Sequence, residues 1–228
     1  MTRETTTAPA PSKALTEAGA FRALARDRLP ATPVVRPPDA DGRLVLAPSD
    51  YDLNPDFLVH APPAAARPAA VLVPVVARDP LTVLFTLRTP HLKAHAGQVS
   101  FPGGKAEPHD AGPVDTALRE AEEEVGLARH LVEPLGFLDI YRTGTGFAVT
   151  PLVALVDPAL TIAPDPSEVS EVFEVPLSFL MEPANARLET RYWRGADRRY
   201  YALTYATRDI WGATAGMLRN MRERLFSS

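Results

Sequence analysis

The sequence predicts a mixed α/β fold of the α+β kind, with one core domain over residues 69–228 behind a proline-rich extension. Three observations carry this expectation. Apolar, β-branched runs of strand length recur from Val71 to Tyr205,. One amphipathic helical stretch interrupts them in mid-chain and another closes the chain,. Eleven of the 24 prolines fall before residue 71, so the first third is punctuated rather than regular,.

Taken in order, residues 1–12 are rich in Thr, Ala and Pro and read as a disordered tail,. Residues 13–68 read as an N-terminal helix and a proline-rich arm. The helix is expected over Thr16 to Leu29, marked by Phe21, Leu24 and Leu29, and Pro30, Pro33, Pro37 and Pro38 stop it,. The arm is a packing segment or linker, the alternative being that it completes a homodimer or lids the site. Strands are expected at 71–76 and 81–87, joined through Asp79-Pro80,. Gly112 and Pro113 suit a helix start, with Pro near the first position. Val114, Ala117, Leu118, Ala121 and Val125 then give the 3.6-residue stripe that packs on a sheet, and Gly126 is a left-handed terminator,. Leu135 to Tyr141 and Phe147 to Val156 read as strands about a Gly-Thr-Gly turn. Arg187 to Trp193 and Arg199 to Tyr205 read as a hairpin about Gly195. A last helix is expected over Ile210 to Phe226, with Met217, Leu218, Met221 and Leu225 on its apolar side,.

Bulk properties exclude several classes. A net charge of −4 gives no global pull towards nucleic acid or an anionic membrane,. Zero cysteines exclude disulfides, thiolate zinc sites and a cysteine nucleophile,. No apolar run approaches the roughly 20 residues of a membrane span, and Met1 to Ser12 lack the apolar stretch of a secretory signal,. A cytoplasmic protein is expected.

The densest chemistry lies in 103–127, where a glycine loop precedes a helix carrying Arg119, Glu120, Glu122, Glu123 and Glu124. Four carboxylates within five residues repel one another, so the arrangement calls for a cation. With roughly 100° of rotation per residue, Glu120 and Glu124 share a helix face, Glu123 flanks it and Glu122 points away. Oxygen ligands converging beside a tight loop suit a hard divalent ion such as Mg²⁺ or Mn²⁺. A solvated acidic face is the alternative.

This segment resembles the Nudix box, G-x5-E-x7-R-E-U-x-E-E-x-G-U, with U an aliphatic residue. Gly104 opens it, and Arg119, Glu120, Ala121, Glu123, Glu124, Gly126 and Leu127 fill its second half in register. Asp110 replaces the first Glu, and eight residues rather than seven separate it from Arg119. Both departures are similar to those of the coenzyme A diphosphatase branch. Phe101-Pro102-Gly103-Gly104-Lys105, Thr116-Ala117-Leu118-Arg119-Glu120, Leu84-Phe85-Thr86-Leu87-Arg88 and His95-Ala96-Gly97-Gln98-Val99 resemble that branch too. The resemblance implies an α/β/α sandwich with a mixed sheet, and metal-dependent hydrolysis of a coenzyme A-like diphosphate to 4′-phosphopantetheine and adenosine 3′,5′-bisphosphate.

Under that resemblance Glu120, Glu123 and Glu124 hold the metal, with Glu120 and Glu124 the direct ligands through their i,i+4 spacing. Arg119 orients the carboxylates or pairs with Asp110 or Glu107. Gly103 and Gly104 let backbone approach metal or phosphate. The general base is either Glu123 or an acid of the later stretch, Glu168 or Glu171. Arg88 is a phosphate clamp or a surface residue, and His95 and Gln98 contact substrate or are structural. Trp193, Tyr200 and Trp211 stack on an adenine or belong to the core. Other leaving groups (ADP-ribose, a dinucleotide, an oxidised nucleotide) and a non-catalytic binding module are the competing readings.

Overall fold

Strand β1 (Arg67–Val76) is the axis of the molecule, because it is apolar on both of its faces. In the computed structural model, which describes residues 13–34, 48–54, 66–91, 96–193 and 195–227, it runs parallel to β7 (Phe147–Val156) over its whole length. Its other edge is shared: residues 69–71 pair with β4 (Gly103–Lys105), and Val75 and Val76 pair with β2 (Thr82–Arg88). Leu72 donates its N–H on that edge to the Pro102 carbonyl. By the two-residue period, the imide nitrogen of Pro74 faces the same way, into the gap between β4 and β2. A proline in a central strand therefore forfeits no ladder bond there.

The sheet grows outward on both sides. Beyond β2 lie β3 (Val99–Ser100) and β8 (Val169–Pro176), and beyond β7 lie β5 (Val132–Phe137) and β6 (Tyr141–Arg142), all antiparallel to their neighbours. A separate antiparallel sheet of three strands, in the order β11–β10–β9, follows: β9 (Arg187–Trp193), β10 (Ala196–Tyr205) and β11 (Arg208–Trp211). The mixed α/β layering is as expected.

Alternation along the strands divides two apolar layers. Ala70, Leu72 and Val76 of β1, with Leu152, Ala154 and Val156 of β7, face helix α2 (Pro113–Val125) through its Ala117, Ala121 and Val125. Val73 and Val75, with Val153 and Leu155, face α1 (Ala18–Arg28) and α4 (Ala213–Phe226). A short helix, α3 (Leu177–Met181), fills the edge of that layer with Leu177 and Leu180.

The structure moves several expected boundaries. Helix α1 is not an appendage: Phe21 and Ala25, one turn apart, are fully buried in the same layer as α4. It is clamped there by Arg22 and Arg26 on Glu133 and by Arg28 on the Leu225 carbonyl, 3.0 Å away. The packed unit therefore begins before residue 69. The strand expected over 135–141 is instead two pieces, β5 ending at Phe137 and β6 beginning at Tyr141, and within β5 the register shifts between Pro134 and Gly136. Gly136 has φ 157°, and Leu29 packs where its side chain would stand. Ile210 and Trp211 belong to β11 rather than to the last helix, because Gly212 at φ 62° turns the chain before Ala213. The tail 1–12, the rest of the proline-rich arm (35–47 and 55–65), His95 and the Trp193 side chain lie outside the described residues. No helix of the described residues is long and apolar enough to cross a membrane.

Phe21→Ala is expected to cost about 3–5 kcal/mol in equilibrium denaturation, as for a fully buried aromatic. A cost under about 1 kcal/mol would place α1 outside the core.

Candidate active site

Helix α2 starts on Pro113 and stops at Gly126, whose φ of 70° lets its N–H bond back to the Ala121 and Glu122 carbonyls. The buried face of this helix carries one charged residue among its apolar ones. Glu124 is 3 % exposed and enters the layer beside Val125 and Ala121. Its carboxylate accepts the Gly103 N–H at 3.1 Å and faces Arg88 Nη1 at 3.2 Å.

The glycine loop fits over the helix so closely that side chains are excluded. A Cβ on Gly104 would stand 2.6 Å from the Glu120 carboxylate. One on Gly103 (φ 152°) would stand 2.5 Å from the Ala70 carbonyl oxygen. Both glycines are therefore steric requirements, and they bring backbone against the two carboxylates at the i and i+4 positions.

Arg119 ties this assembly together. Its Nε and Nη2 grip Asp110 at 2.9 and 3.1 Å, Nη2 also reaches the Lys105 carbonyl, and Nη1 donates to Glu120 and Glu123 at 3.0 and 2.9 Å. One guanidinium thus fastens the loop, which carries Asp110, to the helix. Asp110 rather than Glu107 is the partner, and these bonds hold its carboxyl well below the usual carboxylate range. The longer spacing between Asp110 and Arg119 is absorbed by a turn in which Asp110 also accepts from the Glu107 N–H and the Thr116 hydroxyl.

The acids are not equivalent. Burial raises the pKa of Glu120, Arg119 opposing it, while the charges of Glu123 and Glu168 push it further up. Burial pushes Glu124 up to about 7, against the Gly103 N–H and Arg88, with Glu120 and Glu168 adding to the rise. Glu123 departs from the expected trio. It stands on the open flank, 60 % exposed, and leans on Arg119 instead of entering the loop with its neighbours. Its position one residue from Glu124 rotates it roughly 100° off that face. Glu122 points away, to Arg129, as its rotation requires.

Of the two later acids, Glu168 lies by the box, with its carboxylate 3.8 Å from Arg88 Nη2 and its charge felt by both Glu120 and Glu124. Glu171 is engaged elsewhere, by Arg208, whose guanidinium in turn covers the Phe173 ring at 4.7 Å. The register shift between Leu87 and Arg88 against β8 accompanies this divergence.

From the glycine loop a cleft of about 1100 Å³ runs between the main sheet, the three-stranded sheet and α4. Gln98 lines it near the box, as do Gly103, Gly104 and Arg88. Among the described residues seven arginines and lysines line the cleft against three acids, so it is locally positive on a chain whose net charge is −4. Such a cleft concentrates anions.

Sequence reasoning missed one wall of this cleft. Residues 48–54 lie along it: Asp50 accepts the Tyr141 hydroxyl (2.8 Å) and the Gly144 N–H (2.7 Å), and Asn54 bonds both backbone groups of Arg199. Burial raises the Asp50 pKa despite those bonds. No local pattern in 48–54 announces this long-range docking. The arginines at 191 and 198 were a legible signal, because the hairpin pairs them directly.

Glu120 and Glu124 with the loop backbone form an oxygen donor set of the hard kind, and the raised pKa of the buried Glu124 marks a carboxylate that a cation would relieve,. Among the described residues no three acidic or histidine side chains converge into a closed metal cage. Two carboxylates suit Mg²⁺, which keeps several of its waters and binds the rest through substrate phosphate. The donor set fits the metal.

Comparison with known proteins agrees with this geometry. A family model described as the NUDIX domain matches residues 66–196. A protein of Yersinia enterocolitica named "Uncharacterized Nudix hydrolase NudL" is 42% identical over 167 residues, covering 71% of this chain and 83% of that one. One of the same name from Photorhabdus laumondii is 40% identical over 159 residues, covering 70% and 85%. Among solved structures, a MutT/nudix family protein from Enterococcus faecalis aligns at a TM-score of 0.44 and 16% identity, over 70% of this chain and 60% of that one. An i,i+4 carboxylate pair under paired glycines, locked by an arginine, stands inside a matching family model and beside relatives sharing two-fifths of their residues: this chain belongs to the Nudix hydrolase family.

Proposed function

We propose that the chain hydrolyses the diphosphate of coenzyme A or its derivatives, giving 4′-phosphopantetheine and adenosine 3′,5′-bisphosphate. The observation that carries this reading is the large cationic cleft opening directly from the glycine loop. It suits a substrate bearing more negative charge than a diphosphate alone and an extended non-nucleotide portion. The flanking motifs at 84–88, 96–99 and 101–105 that resemble the coenzyme A branch build its box end.

Glu120 and Glu124 would hold Mg²⁺ or Mn²⁺, which supplies charge neutralisation at phosphate and a more acidic bound water. Glu123 serves this reading through Arg119, as a flanking acid. Glu168 is the favoured general base: it is half exposed, next to Arg88, and close enough for its charge to be felt at both box carboxylates. It takes a proton from the attacking water as a new P–O bond forms and the bridging P–O bond breaks. Arg88, between Glu124 and Glu168, is placed to turn a substrate phosphate towards them,. Gly103 and Gly104 keep the approach free of side chains.

Glu124 links metal to stability. Its folded pKa, about 7, exceeds its ordinary 4.5, so between those values the folded protein binds more protons than the unfolded chain. Stability is therefore fully present below about pH 4.5 and falls as pH rises through 7, by on the order of 3 kcal/mol. Glu124→Gln is expected to raise the thermal midpoint of the metal-free protein at pH 8 and to leave it unchanged at pH 4. Adding Mg²⁺ at pH 8 should stabilise the wild type and not the variant. Equal responses of both proteins to Mg²⁺ would remove Glu124 from the metal site.

Activity decides the substrate. With Mg²⁺ or Mn²⁺, coenzyme A should be cut faster than ADP-ribose or dinucleotides, and chelation should abolish turnover. ADP-ribose hydrolysis far above that of coenzyme A would replace the assignment. Glu168→Gln should lower kcat on the order of 10²-fold with KM little changed, while Glu171→Gln stays near wild type. A normal Glu168→Gln enzyme would return the base to Glu123.

A further inference from the structure

Strand β9 is the open edge of the three-stranded sheet. Its inner edge pairs with β10 at all seven of its positions, and among the described residues no strand pairs with its outer edge. An unpaired edge is a row of N–H and C=O groups able to bond a further strand, and folded chains usually guard it with proline, lysine or a bulge. β9 has none of these. Arg187, Leu188, Thr190, Arg191 and Tyr192 are exposed along it, and Glu189 is half-buried.

Apolar surface gathers on the same strand. Among the described residues three large apolar side chains are exposed, and two of them, Leu188 (45 %) and Tyr192 (71 %), belong to β9. By the two-residue period and the pairing, both stand on the sheet face that further in carries the buried Leu203 and Ile210,. The core face of this small sheet thus runs outward to the edge and is left uncovered there.

The order of residues in β9 is self-complementary. A strand that pairs antiparallel with its own copy does so about a two-fold axis normal to the sheet. That axis must pass through a residue, because opposed residues share a face and faces alternate along the strand. Centred on Glu189, it would oppose two carboxylates and set Arg187 against Arg191; centred on Arg191, it would oppose two guanidinium groups,. Axes one step further out, at Leu188 or Tyr192, engage only three residues of the strand. Centred on Thr190, the pairing uses the whole strand. It then sets Glu189 opposite Arg191 twice, Leu188 opposite Tyr192 twice, and the two threonines opposite each other. Glu189 already accepts from Arg187 and from the Tyr200 hydroxyl, and its carboxylate has lone pairs for a further cationic donor,.

We propose that β9 pairs antiparallel with β9 of a second copy of this chain, about a two-fold axis at Thr190, joining the two small sheets into one. Main-chain bonds supply the association, and the alternating charges and apolar pairs fix its register. Arg191 also lines the cleft, so the interface runs along the cleft's rim. This pairing is independent of what the box cuts.

The full chain is tested by sedimentation velocity at rising concentration and by cysteine trapping, which a chain without cysteine makes unambiguous. The wild type should be dimeric at about 100 μM. Glu189→Arg and Arg191→Glu, each alone, should weaken association at least about 10-fold, because each makes the central pairs like-charged. Mixed one to one, the two variants should associate again, since one copy then offers guanidinium groups and the other carboxylates at both positions. Damage to the fold by either substitution would not be rescued by mixing. Thr190→Cys should cross-link to its own counterpart under mild oxidation, because opposed Cα atoms in an antiparallel pair lie about 4.5–5.5 Å apart, within disulfide reach. Asp27→Cys, exposed on α1, should not. Should Glu189→Arg fail to fold, Tyr192→Ser at a mostly exposed position carries the test, with association weakened at least about 5-fold,. A wild type monomeric at about 100 μM overturns the pairing. So does a dimer that both charge reversals leave intact, mixed variants that stay apart, or a Thr190→Cys protein that traps no better than Asp27→Cys.

Discussion

The constraint on which the site depends is the seating of the 103–104 backbone against two acids one helical turn apart. Glu124 is buried beside an apolar layer, a position whose desolvation cost is offset by the Gly103 N–H and Arg88,. Glu120 occupies the space that a side chain on Gly104 would need. The loop, the helix and the central strand are therefore fixed relative to one another by mutual exclusion as well as by hydrogen bonds. Arg119 adds the tether, binding Asp110 of the loop and two glutamates of the helix through one rigid fork,.

Charge is distributed to the same end. The chain is acidic overall, yet its cleft is positive, so any attraction of anions is a local property of that surface,. Across the cleft the electrostatics divide by role. The box end carries the acids Glu120 and Glu124, and the small sheet carries the guanidinium groups of Arg191, Arg198 and Arg199. Between them Arg88 faces Glu124 and Glu168, joining the two regimes.

Much of this was legible in the residues. The apolar stripe from Ala117 to Val125, the terminating Gly126 and the i,i+4 acids follow from helical period alone, and the structure has them on one helix packed on β1. What periodicity could not separate was Glu123 from its neighbours, because its outcome depends on where Arg119 reaches after gripping Asp110. Nor could it separate Glu168 from Glu171, which differ through a pairing irregularity and the distant Arg208. The burial of α1 was also hidden. Phe21 and Ala25 mark a face, but its destination against α4 is set by contacts some two hundred residues away. Segment 48–54 gave no periodic signal at all, since its hold on the cleft comes from single side chains such as Asn54.

That last segment bears on modularity. The stretch matched by the family model holds Glu120 and Glu124, the paired glycines and the arginine fork, while Asp50, Asn54, Arg198 and α4 fall outside it. The box and part of the cleft wall are thus encoded in different lengths of chain. A graft of residues 66–196 onto another scaffold would carry the box with it but strip one face of the sheet of α1 and α4, so that scaffold would have to supply its own apolar cover over Val73, Val75 and Val153.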